Sequence, residues 1–268
     1  MARLTLAEAG VRPPAAAGSF YPADPIRLGA TVDSLLADVA PAPFGARLRA
    51  IVGPHAGYVY SGAVAATAWA IVRGIRPPVA RVILAGPAHF VPLRGACVPA
   101  AGRWRVPIGE VAIDPDLRAL ARTAGARVDD GPHEPEHSLE VQLPFLLRVA
   151  AAPRMLPVAV GEMSPRAAAD LFGRLADEAD LLVVSTDLSH YHDDATARRL
   201  DRRTVEAIEA RDPAAIGDLD ACGIFALRGL VELAARRGWP VRTLDRRTSA
   251  DAGGGRDSVV GYAALAFG

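Results

Sequence analysis

Three apolar stretches, each followed by a loop with a histidine, decide the fold prediction. They are Arg49-Ala-Ile-Val-Gly-Pro-His55, Arg81-Val-Ile-Leu-Ala-Gly-Pro-Ala-His89 and Leu181-Leu-Val-Val-Ser-Thr-Asp-Leu-Ser-His190. The second stretch is apolar at consecutive positions, which is typical of a central strand that helices cover on both faces. Such strands alternate along the chain with helical patterns, and that alternation favours α/β layers. We therefore predict one α/β/α domain over residues 1–268, with three layers and a central, largely parallel sheet.

The periodicity of apolar residues predicts where the main elements lie. Strands are expected at 49–52, 81–85, 155–160, 181–185, 241–244 and 259–267. Helices are expected at 63–73, 114–123, 138–149, 165–176, 195–210 and 224–237. The looser alternation over 96–113 indicates a β-hairpin at an edge of the sheet.

Composition excludes several classes of protein. The 30 basic residues balance 30 acidic ones, so the chain lacks the positive charge of a nucleic-acid-binding protein. Every basic residue is arginine, which excludes a Schiff-base lysine and a phosphate-loop lysine. Two cysteines are too few for a secreted disulfide framework, and Glu8 interrupts any apolar signal core. No apolar run approaches the roughly 20 residues of a membrane span. We expect a cytoplasmic protein that binds neither nucleic acid nor membrane.

The histidines that follow the strands are the main functional signal. In open α/β sheets the ligand crevice lies at the carboxyl ends of the strands, so His55, His89 and His190 are expected to converge there. Asp187 lies in the same loop as His190. The alternative is that these histidines are scattered over the surface or cap helices.

A fourth loop, Gly131-Pro-His-Glu-Pro-Glu-His-Ser-Leu-Glu140, adds His133 and His137. Ser138 is placed as the N-cap of the following helix, with Glu140 in its first turn. His137 and Glu140 are three residues apart, so they are expected to face the same way. An ordinary capped helix with surface charges explains the spacing equally well.

Cys222 precedes the apolar pattern of the helix predicted at 224–237. A thiol at a helix N-terminus is expected to have a lowered pKa, which suits a metal ligand or a nucleophile. A small buried filler remains the alternative, and it is the interpretation given to Cys97. Two imidazoles and one anionic ligand suit non-haem Fe(II), whereas a thiolate shifts the preference towards zinc or copper.

Blocks of sequence from near the N-terminus to the C-terminus resemble the Memo family, whose prokaryotic members are known as AmmeMemoRadiSam system protein B. The matching blocks are Gly18-Ser-Phe-Tyr-Pro22, Pro54-His-Ala-Gly-Tyr-Val-Tyr-Ser-Gly62, Gly86-Pro-Ala-His-Phe-Val-Pro-Leu93, Glu136-His-Ser-Leu-Glu-Val-Gln-Leu-Pro144, Ser185-Thr-Asp-Leu-Ser-His190, Cys222-Gly223 and Asp257-Ser-Val-Val-Gly-Tyr-Ala-Ala264. The resemblance implies a fold similar to class III extradiol dioxygenases, which use non-haem Fe(II).

The resemblance also implies roles for individual residues. His55, His89 and Cys222 match metal ligands, with iron favoured over copper or zinc. His190 matches a general acid/base, and Asp187, His137 and Glu140 match positions that line the pocket. The roles of His133 and His192 stay open.

These roles imply a metal-dependent redox protein or dioxygenase-like enzyme of unknown substrate. The alternative is a non-enzymatic adaptor that binds a peptide or protein in the same pocket, with radical-SAM and AMMECR-type proteins as expected partners. A Cys222–His190 hydrolase is a third hypothesis.

Overall fold

The computed structural model of the chain describes residues 10–40, 44, 47–75 and 77–268. The segment around Glu8, on which the signal-peptide prediction rests, lies outside these residues. Within them, no helix has the length and apolar character needed to cross a bilayer.

One mixed sheet forms the centre of the described structure. Its strands are β1 (Val11–Arg12), β2 (Ala50–Gly53), β3 (Arg81–Gly86), β4 (Ala96–Val98), β5 (Arg103–Val106), β6 (Gly109–Ile113), β7 (Arg127–Val128), β8 (Arg154–Val160), β9 (Leu181–Ser185), β10 (His190–His192), β11 (Val241–Thr248) and β12 (Val259–Phe267). The main path runs β1-β5-β6-β8-β3-β9-β2-β12-β10. The central run from β6 to β2 is parallel, and β12 joins β2 antiparallel. The predicted largely parallel sheet is confirmed.

Helices flank this sheet in two groups. They are α1 (Pro25–Ala37), α2 (Tyr58–Ala70), α3 (Pro115–Thr123), α4 (Leu143–Val149), α5 (Pro165–Ala176), α6 (Asp194–Glu209) and α7 (Ile224–Arg237). Helices α1, α2 and α4 pack on one another, and α3 and α7 both pack on α5. The three-layer α/β/α architecture is therefore confirmed, whereas the single domain over 1–268 stays a prediction. Most buried apolar residues, from Ala16 to Phe267, belong to one core cluster, and a second, smaller cluster contains Leu93, Cys97 and Ala159.

Two segments differ from their predictions. The predicted hairpin over 96–113 is limited to the antiparallel pair β5–β6, because β4 pairs with β7 and β8 instead. The prediction that Ser138 caps a helix is wrong. Its hydroxyl donates to the Pro87 carbonyl, and α4 begins only at Leu143, after a 3₁₀ turn over Glu140–Gln142. Pro144 lies in the first turn of α4, where its missing N–H has no intrahelical acceptor to lose.

Candidate metal-binding pocket

The topology brings the predicted histidines to one edge of the sheet. Strands β3, β9 and β2 are adjacent and parallel, so their carboxyl ends and the following loops meet. The imidazole rings of His55 and His89 have centroids 5.2 Å apart. The His137 ring lies 4.8 Å from that of His89 and 5.4 Å from that of His55. For His55 and His89, the alternative of scattered surface side chains is wrong, and His137 from the fourth loop joins them.

Cys222 reaches the same place from a distant part of the chain. Its sulfur lies 3.2 Å from Nε2 of His55. The loop is held against the end of β9 because Cys222 N–H donates to the Asp187 carbonyl and Gly223 N–H donates to Thr186 Oγ1. A Cβ at position 223 would lie 2.8 Å from the Thr186 Cβ, so only glycine permits this close approach.

A hydrogen bond fixes the orientation and protonation of the His55 ring. Ser185 Oγ lies 3.1 Å from His55 Nδ1 and donates its own proton to the Ser138 carbonyl. It therefore accepts from His55 Nδ1–H, and the lone pair of His55 is left at Nε2. Burial lowers the pKa of His55 to about 3, and the neighbouring His89 adds to this shift. At physiological pH, His55 is therefore neutral and can donate the Nε2 lone pair to a metal ion.

A buried carboxylate fixes the His89 ring in the same way. Glu136 accepts from Nδ1 of His89 at 2.9 Å and from its backbone N–H at 2.5 Å, and also from Ser138 N–H. Burial alone raises the pKa of Glu136, but the hydrogen bonds from His89 and Ser138 outweigh it and lower the pKa to about 2. The His89 lone pair is therefore at Nε2. Sequence reasoning missed both Glu136 and Ser185, although Glu136 lies beside His137 in a quoted block.

Asp187 lies in the loop after β9, and His190 is the first residue of β10. Oδ1 of Asp187 accepts from the backbone N–H groups of His55 and Ala56, at 2.8 and 3.3 Å. Burial raises the pKa of Asp187 despite these two bonds. His190 Nδ1–H donates to the Leu188 carbonyl at 2.7 Å, so its lone pair is also at Nε2.

The predicted low pKa of Cys222 is wrong. Burial raises the pKa of the thiol to about 12, and the Asp187 carboxylate adds to the increase. Cys222 precedes Gly223, the N-cap residue of α7, and the backbone N–H of Asp187 donates to its sulfur at 3.3 Å. Backbone hydrogen bonds from Asp187 and Gly223 favour the thiolate, but the effect of burial is larger. The imidazole that contacts the sulfur belongs to His55, whereas the hydrolase hypothesis requires His190.

Two overlapping groups of side chains in the described residues can hold a metal ion. One consists of His55, His89 and His137, and the other of His55, Asp187 and Cys222. In each group, one ligand atom per residue lies within 4.8 Å of the others. The predicted ligands His89 and Cys222 thus fall in different groups, which share His55.

Other candidates from the sequence lie outside this pocket. Glu140 does not face His137 but is fully buried with Arg12, whose guanidinium it accepts from at 2.6 Å. His133 is buried, with its ring 5.5 Å from that of Trp104. His192 is exposed. Cys97 is a buried residue of β4, as its interpretation as a filler requires.

The fold and this pocket define an α/β protein with a histidine-rich candidate metal centre at the carboxyl ends of its parallel strands. The family of Memo-like proteins matches residues 12–266. A MEMO1 family protein of Thermotoga maritima is 34% identical, over 94% of this chain and 97% of its own. Those of Methanopyrus kandleri and Aquifex aeolicus are 34% and 36% identical, over 96% of this chain and 98% and 99% of their own. The chain belongs to the Memo family.

Proposed function

We propose that the chain binds one metal ion through His55, His89 and Cys222 and uses it in dioxygenase-like redox chemistry on a small molecule. Iron is favoured over copper or zinc. The observation that supports this proposal is that both imidazoles form a hydrogen bond through Nδ1. The Nε2 lone pairs of His55 and His89 are therefore available to bind a metal ion. Metal-binding histidines in proteins are held in this way by outer hydrogen bonds.

The donor atoms suit a redox-active transition metal. Neutral imidazoles bind iron, copper and zinc, and a thiolate adds a soft anionic donor. The thiol proton, which the raised pKa of Cys222 retains in the metal-free chain, leaves when an ion binds. An Fe(II) ion held by these residues would supply redox chemistry with dioxygen on a bound substrate.

The chain's own residues supply the proton chemistry. His190 carries its lone pair at Nε2 and accepts a proton there, as a general base for a phenolic or other acidic substrate. The Leu188 carbonyl holds the ring in the required tautomer. The negative charge of Asp187 stabilises the imidazolium that results, since the two groups interact electrostatically.

Metal content of anaerobically purified protein tests this proposal. Wild-type chain loaded with Fe(II) is expected to hold one ion per chain, and His55→Ala, His89→Ala and Cys222→Ser should each weaken binding at least about tenfold. His192→Ala, which removes an exposed histidine, is the matched control and should bind as wild type. His190→Gln should keep the ion but lose oxygen uptake with catechol as the probe. A metal-free wild type, or ligand variants that bind as well as His192→Ala, would contradict the proposal.

An adaptor that binds a peptide or protein is the second candidate function, and exposed aromatic residues beside the pocket favour it. Phe90 is 58% exposed, yet its ring lies 5.8 Å from that of His137. Tyr191 is 80% exposed and has a φ of 63°, a strained conformation for a residue with a Cβ. If the adaptor role holds, Phe90→Ser should weaken capture of a co-expressed AMMECR-type or radical-SAM protein and leave metal content unchanged. Equal capture by wild type and Phe90→Ser would contradict it.

A further inference from the structure

His137 is the histidine of the pocket that the proposed metal site does not use. Its ring stacks on those of Phe20 and His89, with centroid distances of 4.1 and 4.8 Å. Its side chain is only 13% exposed, and its Nδ1 is buried without a hydrogen-bond partner. Glu136 Oε1 lies 3.4 Å from this Nδ1 but already accepts hydrogen bonds from His89 and Ser138. A buried nitrogen without a partner is unfavourable unless a ligand completes it.

The unpartnered ring belongs to a group of three imidazoles. One nitrogen each from His55, His89 and His137 lies within 4.8 Å of the other two. Three nitrogens bound about 2 Å from one tetrahedral ion lie roughly 3.4 Å apart, so small rotations of these side chains are enough to close the set. Three histidines form a known type of zinc site with an open fourth position.

This imidazole group and the Cys222-containing site cannot be filled together. Both need the lone pair at Nε2 of His55, and Nδ1 of that ring is occupied by its bond to Ser185. A neutral imidazole offers one lone pair, so His55 binds one ion at a time. The pocket therefore contains two alternative positions for a single ion rather than a dinuclear centre.

We infer that His55, His89 and His137 form a second cation position, which holds a borderline divalent ion such as Co(II) or Zn(II) when the Cys222 thiolate is not available. This inference rests on the proposed metal site and adds His137 to it as a reserve ligand. Imidazole suits such ions without sulfur, whereas softer ions depend more strongly on the thiolate. Loss of the thiol thus changes which ions the pocket retains.

Titration with Co(II), followed by absorption, distinguishes the two positions. Wild type is expected to show a sulfur-to-cobalt charge-transfer band in the near ultraviolet. Cys222→Ser should lose this band and still bind one Co(II), with visible bands of a nitrogen-bound ion. Cys222→Ser/His137→Leu should then bind Co(II) at least about tenfold more weakly than Cys222→Ser. The matched control is Cys222→Ser/His192→Leu, which should bind as Cys222→Ser does. Circular dichroism of each variant checks that it is folded.

The possible failures are distinguishable. If Cys222→Ser binds no Co(II), or binds it equally well with and without His137, the second position is overturned while the proposed site stands. If wild type shows no charge-transfer band but its binding depends on His137, the Cys222 site fails and the three-imidazole position holds. If a folded wild type binds no Co(II), both fail.

Discussion

Two buried polar clusters contact the segment 133–140. They differ in the fraction of their polar atoms that hydrogen bonds satisfy. In the first, the Arg12 guanidinium donates to Glu140 and to the carbonyls of His133 and Glu136. Glu140 also accepts from Tyr21 O–H and from the N–H groups of Ala15 and Ala16. We call this set the Arg12–Glu140 anchor. Its charged groups are satisfied within the chain.

The candidate metal-binding pocket is the opposite case. His55 and His89 use Nδ1 within the protein and direct Nε2 towards their neighbours, and His137 has a buried nitrogen without a partner. The comparison teaches that burial and charge alone do not identify a site. A buried cluster whose polar atoms all have hydrogen-bond partners stabilises the fold. A cluster in which several polar atoms lack such partners and lie close together can bind a ligand.

The largest expected effect comes from breaking the anchor. Arg12→Ala leaves the fully buried Glu140 carboxylate without its cation, and should reduce the free energy of unfolding by about 3–5 kcal/mol. Urea unfolding followed by tryptophan fluorescence measures the change. Arg105→Ala, which breaks an exposed pair with Glu110, is the matched control and should have little effect. Equal destabilisation by the two variants would show that the anchor is not structural.

Glu136 contacts both clusters. Its substitution should affect the pocket and leave the anchor intact. Its carboxylate orients His89, while its carbonyl accepts from Arg12. Glu136→Gln keeps the shape and the carbonyl but removes the charge that favours His89 as a ligand. Metal affinity should therefore fall about 10–100-fold. Isothermal titration with Zn(II) measures this affinity, and Glu134→Gln, at a nearby exposed glutamate, serves as control. An unchanged affinity would remove Glu136 from the metal site.

His133 tests the contrast between polar atoms with and without hydrogen-bond partners. It lies beside the anchor, yet both of its ring nitrogens lack hydrogen-bond partners. Burial lowers its pKa from 6.5 to about 3, and Arg12 adds to the shift. As pH falls, the unfolded chain takes up this proton first, so stability is lost between pH 6.5 and 3. At pH 5, the loss from this group should be about 2 kcal/mol relative to pH 8.

Urea unfolding of wild type and His133→Leu at both pH values measures that contribution. The variant should lose less stability on acidification, by about 2 kcal/mol. His192→Leu, which removes an exposed histidine, is the matched control. A pH dependence that is the same in His133→Leu and wild type would mean that His133 is not neutral in the folded chain.

Much of the fold could be predicted because its signals are local. Helices α5 and α7 and strands β9 and β12 lie at the predicted residues, since apolar periodicity and caps such as Ser164-Pro165 depend on neighbours in sequence. Helix α1 was not predicted, although Asp24 caps it and Pro25 begins it. An N-cap residue followed by proline is a local signal for the start of a helix.

The pocket could be predicted only in part. Topology rules for parallel strands explain why His55 and His89 converge. The block Glu136–Pro144 contains two glutamates, and its sequence alone does not show which of them contacts the pocket. The prediction that Glu140 lines the pocket is wrong, because Glu140 lies in the anchor, whereas Glu136 accepts from His89. The predicted low pKa of Cys222 is wrong because a helix N-terminus is a local feature, whereas burial beside Asp187 depends on the complete fold.

X-ray absorption of the Zn(II)-loaded wild-type chain tests the central claim most directly. If His55, His89 and Cys222 bind one ion, its first shell should contain one sulfur at about 2.3 Å and nitrogens at about 2.0–2.1 Å. Cys222→Ser should lose the sulfur and keep the nitrogens. A wild-type shell of nitrogen and oxygen alone would contradict the account, because the sulfur would then lie beside the ion without binding it.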